Sequence, residues 1–112
     1  MQISSERDGS ALIVAVDGRI DGSNSQEFQD RFEEVVGDDD SAVILDMDKL
    51  TYISSSGLRA TLLLARKLQR QQAKFAICAL SPSIKEVFEI SGFDRIIQVH
   101  ASREEATQAV SA

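Results

Sequence analysis

The chain is poor in the residues from which catalytic and metal centres are built. It has one cysteine, Cys78, and one histidine, His100, in 112 residues. A lone cysteine excludes an internal disulfide and suits a reducing compartment. One Cys with one His cannot supply a usual zinc site, so no metal is expected. His100 follows the last expected strand and is expected at the surface, away from any serine cluster. No serine then has the neighbouring base that makes it nucleophilic. The patterns G-x-S-x-G and G-x-x-x-x-G-K-[ST] are both absent, which removes a nucleophile elbow and a nucleotide phosphate loop. No catalytic residue and no cofactor is expected, and the chain does not read as an enzyme.

Basic charge is scarce as well. Twelve Lys and Arg against 18 Asp and Glu leave a formal charge of −6, which argues against binding nucleic acid through its phosphates and fits a protein that meets other proteins. No apolar run approaches the ~20 residues that cross a bilayer. The opening MQISSERDG has neither a basic n-region nor an apolar h-region, so a cytoplasmic protein without membrane attachment is expected. What is present is a globular composition, 43% hydrophobic and 27% charged. The length fits one domain, expected to span residues 1–112, large enough to bury roughly two thirds of its unfolded surface.

The pattern along the chain predicts strands at 2–7 and 11–17 joined by a hairpin at Asp8-Gly9, since both residues tolerate positive φ. Residues 18–24 (GRIDGSN) are predicted as a loop, followed by a helix at 25–36 with Phe28, Phe32, Val35 and Val36 on one stripe. Asn24 and Glu27 have the spacing of a capping box, and Asp38-Asp39-Asp40 reads as a solvated turn. A buried strand is predicted at 42–47 and a helix at 57–71, with Leu58, Leu62, Ala65 and Leu68 inward and Leu63 and Leu64 widening the stripe. A strand at 74–80 and a helix from Ser81-Pro82 to Gly92 follow, the latter burying Ile84, Val87 and Phe88. The last strand is predicted at 96–99, and Ser102 with Glu105 caps a terminal helix buried through Ala106, Ala109 and Val110. The order ββαβαβαβα makes an α/β domain with a mostly parallel sheet, an antiparallel N-terminal hairpin and four helices. Its exposed edge strand permits a homodimer.

Two places concentrate polar groups. Asp46 and Asp48 lie at the end of a buried strand, where open α/β sheets place ligands. They could hold magnesium or receive a phosphoryl group as in response-regulator receivers, but an acidic pair after the first strand and a late lysine are missing. Carboxylates that turn the chain and cap backbone N–H groups are the expectation. The second place is residues 52–59, YISSSGLR, where three serines precede a helix. One serine suffices as an N-cap, with Gly57 easing the chain into the helix. The helix start also tolerates a phosphate, through its free N–H groups and partial positive charge.

LDMDKLTYISSSGLR, with GRIDGS before the first helix and the order of elements, resembles a STAS domain, and more narrowly the bacterial anti-sigma-factor antagonists. The resemblance spans about residues 2 to 110. In that family D-S-[ST]-G-L opens a helix and its first serine is phosphorylated. The resemblance puts that phosphorylation on Ser55, with Ser54 and Ser56 as register alternatives, and places Ser54 where the motif has aspartate. It implies an unmodified form that binds an anti-sigma factor, itself a serine kinase of the histidine-kinase-like ATPase type, and frees that factor's client. Phosphorylation then releases the antagonist and a PP2C-like serine phosphatase resets it. The implied partner surface comprises Asp21, Gly22, Ser23, Asn24, Ser54, Ser56, Gly57, Leu58 and Arg59, with Leu58 favoured as core. A constitutive STAS scaffold or small-ligand-binding module without a phosphoswitch is the alternative.

Overall fold

A computed structural model describes residues 1–111. Strands β1 (Gln2–Asp8) and β2 (Ala11–Ile20) form the antiparallel hairpin, with Asp8 opposite Ala11. The two turn residues are therefore Gly9 and Ser10, one position later than the pattern predicts. Gly9 takes φ +61 at the first of them, a conformation glycine adopts without steric cost. Helix α1 (Ser25–Val35), β3 (Ala42–Asp46), β4 (Leu50–Ile53), α2 (Ser55–Arg70), β5 (Lys74–Cys78), α3 (Pro82–Ser91), β6 (Gln98–His100) and α4 (Arg103–Ser111) follow, with a 3₁₀ turn at Phe93–Arg95. The sheet runs β1-β2-β3-β5-β6, and every pairing except β1–β2 is parallel.

Alternation along the strands divides the core between the two faces of the sheet. Leu12, Val14 and Val16 of β2, Val43 and Leu45 of β3, and Phe75 and Ile77 of β5 pack with Phe28 and Phe32 of α1, Leu64 and Leu68 of α2, and Ile84 and Phe88 of α3. On the other face Ala11, Ile13, Ala42, Ile44, Ala76 and Cys78 meet Ala106 and Val110 of α4. Small side chains on that face let the short α4 lie close to the strands. Because β3 is covered on both sides, all five of its residues are buried, as its continuous apolar run implies.

The order is thus ββαββαβαβα, and β4 is the element the sequence pattern missed. The predicted 18–24 loop is shorter, because β2 continues through Gly18 to Ile20 and pairs there with β4. Gly18 has φ +101 and the register shifts between Gly18 and Arg19, so a bulge bends β2 rather than ending it. Leu50 and Ile53, the buried pair of β4, are three apart and give no strand periodicity. The last strand begins at Gln98, not 96: Ile97 is buried, while Ile96 is 57% exposed after the 3₁₀ turn. Helix α2 begins two residues early, at Ser55, and β5 stops at Cys78. Leu63 and Val87 face solvent instead of the core.

The cap of α3 follows the pattern and that of α4 follows it in part, since Glu105 Oε2 accepts from the Ala101 N–H at 3.3 Å and not from the Ser102 N–H a capping box requires. Ser81 accepts from the Ile84 N–H, Gly92 ends α3 at φ +79, and Ser102 accepts from the Glu105 N–H. The acidic turn is not merely solvated. Asp40 accepts from the Gly37 N–H at 2.7 Å and from Arg7 Nη1 at 2.7 Å, with its side chain only 8% exposed. It ties the loop before β3 to the edge strand β1.

Candidate functional site: the amino end of helix α2

The site forms where β2 and β4 end side by side. Ile20 pairs with Ile53, both are buried, and the Ser54 N–H donates to the Ile20 carbonyl at 2.9 Å. This bond places the three serines against the Asp21–Asn24 turn. Gly57 then brings α2 down onto the strand ends. A Cβ at Gly57 would sit 2.7 Å from Ile53 Cγ1 and 2.8 Å from Ile20 Cγ2. The glycine is therefore needed for close helix-to-strand approach, not to sharpen the chain's passage into the helix.

The three hydroxyls differ. Ser54 is the N-cap: its Oγ accepts from the Gly57 N–H at 3.2 Å and lies 2.9 Å from Ser56 Oγ. Ser56 is half-buried and faces Gly22, whose Cβ, if present, would be 3.7 Å from Ser56 Oγ. Ser55, the first residue of α2, is exposed. Its hydroxyl has no hydrogen bond among the described residues. The middle serine alone therefore combines exposure with a free hydroxyl.

The neighbouring turn is held rigidly. Asp21 Oδ1 accepts from the Ser23 hydroxyl at 2.6 Å and the Ser23 N–H at 2.9 Å. These bonds, the hydroxyl's first, hold the Asp21 carboxyl below the usual carboxylate range. Asn24 does not use its side chain to cap α1, and the capping box with Glu27 is not formed. Its amide instead accepts from the Asp21 N–H at 2.8 Å and donates to the Arg19 carbonyl at 2.8 Å. The extension of β2 brings that carbonyl within reach.

Of the residues expected at a partner surface, Asp21, Gly22, Ser23, Asn24, Ser54 and Ser56 gather at this end of the fold, and Arg59 is exposed on α2. Gly57 and Leu58 are buried, so they support the surface from beneath. Two further residues lie in the same two stretches, GRIDGSN and 52–59, and were not singled out by the sequence pattern. Arg19 and Tyr52 are cross-strand partners, and the Arg19 guanidinium stacks 4.4 Å from the centre of the Tyr52 ring and 3.9 Å from Asp21. Tyr52 is 43% exposed. Only the β2–β4 pairing reveals this stack.

The other polar place is structurally committed. Asp46 is 7% exposed; Oδ1 accepts from the Asp48 N–H at 2.9 Å, and Oδ2 accepts two bonds from Arg103 of α4, at 3.0 and 2.8 Å. Arg103 also pairs with Glu6 of β1. Asp46 thus caps backbone as expected and, in addition, pins α4 to the sheet. His100 ends β6, three strands along the sheet from β2, with Nε2 2.9 Å from Gln98 Oε1. Among the described residues no cluster of three or more His, Cys, Asp or Glu could hold a metal ion. No helix there is long and apolar enough to cross a membrane.

Comparison with known proteins agrees with this architecture. The family model described as the STAS domain matches residues 2–106. A protein of Bordetella bronchiseptica named as an anti-sigma factor antagonist, BtrV, is 37% identical over 109 residues, covering 97% of this chain and 94% of that one. The crystal structure of an anti-sigma factor antagonist from Mycobacterium paratuberculosis superposes with a TM-score of 0.90 at 22% identity, covering 99% and 94% of the two chains. The Bacillus cell fate determinant SpoIIAA, solved in its phosphorylated form, superposes with a TM-score of 0.68 at 21% identity over 97% of this chain and 99% of that one. The chain belongs to the STAS domain family.

Proposed function

We propose that this protein is an anti-sigma-factor antagonist of a cytosolic partner-switching system, a binding protein and not an enzyme. In this proposal its unmodified form binds an anti-sigma factor that is also a serine kinase of the histidine-kinase-like ATPase type. Phosphorylation of Ser55 ends the complex, and a PP2C-like phosphatase restores it. The observation that carries the proposal is the state of the three hydroxyls: Ser54 and Ser56 are engaged with each other and with the helix start, while Ser55 is exposed and free. The antagonist name of the 37%-identical relative supports the partner class. SpoIIAA in a phosphorylated form shows that a chain of this fold carries a phosphate.

The energetics are sufficient. A phosphoserine brings about −1.5 to −2 charges at neutral pH. Buried against a partner without a matching cation, such a group costs several kcal/mol. Moving a complex from about 99% bound to about 99% free takes roughly 5.5 kcal/mol. The surface that would sense the change is the rigid patch around Ser55: Asp21, Gly22, Ser23, Arg59 and the Arg19–Tyr52 stack. Tyr and Arg are the residue types that anchor protein interfaces.

The test is incubation with ATP and a serine kinase of this class, followed by phosphopeptide mass spectrometry and calorimetric titration of the modified and unmodified proteins. One phosphate on Ser55, absent in Ser55→Ala, and loss of binding on modification are expected. Phosphate on Ser54 or Ser56 would overturn the site. Equal binding by wild type and Ser55→Asp would favour a constitutive scaffold.

A further inference from the structure

Ser55 and Arg59 are four residues apart within α2. On a helix this spacing brings side chains together on one face, with Cβ atoms about 5–6 Å apart. Both residues are exposed, and among the described residues Arg59 has neither a hydrogen bond nor an ion pair. The anion-first, cation-second order along the helix is the favourable one for an i,i+4 pair. Residues 52–58 contain no charged side chain, so no carboxylate in that stretch competes for the guanidinium. The other cation at this end, Arg19, is already committed to the Tyr52 ring and Asp21.

We infer that Arg59 is the receiver, within the same chain, of a phosphate on Ser55. The inference rests on the proposed phosphoswitch and deepens it. In the unmodified protein Arg59 projects freely and is available to a carboxylate of the partner. In the modified protein it turns to its own phosphate, which withdraws that contact. Modification therefore acts twice on the surface, adding negative charge at one position and removing a positive contact one helical turn away. The kinase partner is accordingly expected to present an acidic residue opposite Arg59.

The pairing is testable whether or not a kinase modifies Ser55, by installing phosphoserine at position 55 during translation. The phosphate's second pKa, ordinarily about 6, is read by phosphorus NMR titration. A nearby guanidinium favours the dianion and lowers this pKa, by roughly 0.3–0.5 unit for an exposed pair. Arg59→Gln should raise it by that amount and Arg59→Lys should restore most of the shift. Arg19→Gln should leave it within about 0.1 unit, and 1 M salt should shrink the gap between wild type and Arg59→Gln. An unchanged pKa in Arg59→Gln, or an equal change in Arg19→Gln, overturns the inference. Absence of kinase modification at Ser55 would instead sink the phosphoswitch reading.

Discussion

Ser54 Oγ stands 2.9 Å from Ser56 Oγ and takes the Gly57 N–H as its own capping bond. Two of the three adjacent hydroxyls are thus part of the helix start. Ser54→Ala should cost about 1 kcal/mol of stability, the usual loss of an N-cap, and Ser54→Asp should keep the cap. Ser55→Ala should change stability by less than about 0.5 kcal/mol, as for an exposed side chain without partners. Urea unfolding of the three variants checks the ranking; an Ser55→Ala loss as large as that of Ser54→Ala would show the cap assignment to be misplaced.

Glycine to alanine inside a helix normally gains up to about 1 kcal/mol. At Gly57 the sign should reverse. The added methyl would meet Ile53 Cγ1 at 2.7 Å and Ile20 Cγ2 at 2.8 Å, with the Ile20 carbonyl at 3.2 Å. Those isoleucines are branched and buried, so relief requires the helix start to move. Gly57→Ala should lose about 1–3 kcal/mol and weaken partner binding even though position 57 is itself covered. A thermal midpoint equal to or above that of wild type would contradict this.

The Arg7–Asp40 pair supplies a pH signature. The Arg7 hydrogen bond, and then the Gly37 N–H, hold the Asp40 carboxyl below its ordinary value of 3.8. Below that value the unfolded chain binds the proton more readily than the folded one. The associated stability is therefore present above about pH 5 and is lost as pH falls through the lowered value. Asp40→Asn should be less stable than wild type by about 1 kcal/mol at pH 7, with the difference shrinking at an acid pH where Asp40 takes up its proton. Urea midpoints at the two pH values decide it; a gap that persists in acid would point to packing instead.

Cys78 lies with 0% exposure under α4. Burial, aided by the negative charge of Asp46, pushes its thiol up to about 12, so at pH 8 only about one molecule in ten thousand carries a thiolate. Thiol reagents should leave the native protein unlabelled and react only on unfolding. Above about pH 9 the unfolded chain ionises while the folded one does not, so this thiol makes stability fall as pH rises. Rapid labelling of native protein at pH 8 would contradict the placement.

The hairpin, the buried strands and the helix stripes were legible because each depends on local periodicity. Phe28 and Phe32 recur at a helical interval, β3 is apolar throughout because both its faces are covered, and Ser81-Pro82 and Gly92 bracket α3 through backbone preferences that need no neighbour. The three serines could be found in the same way, as a polar cluster at a helix start.

What separated those serines was not local. Which hydroxyl is free depends on the Ser54 N–H reaching the Ile20 carbonyl and on Ser56 facing Gly22, contacts between segments more than 30 residues apart. The same holds for β4, whose Leu50 and Ile53 carry no strand period and which exists because β2 bends at Gly18 and offers it an edge. Arg19 and Tyr52 become neighbours only through that pairing, and Asp40 becomes a half-buried acceptor only when Arg7 of the edge strand arrives. The sequence by itself determined the elements other than β4, because propensity and periodicity are properties of short stretches, and its motifs carried the family resemblance. The tertiary structure decided which side chains of those elements are spent on the fold and which remain for a partner, because that depends on what lies across the sheet.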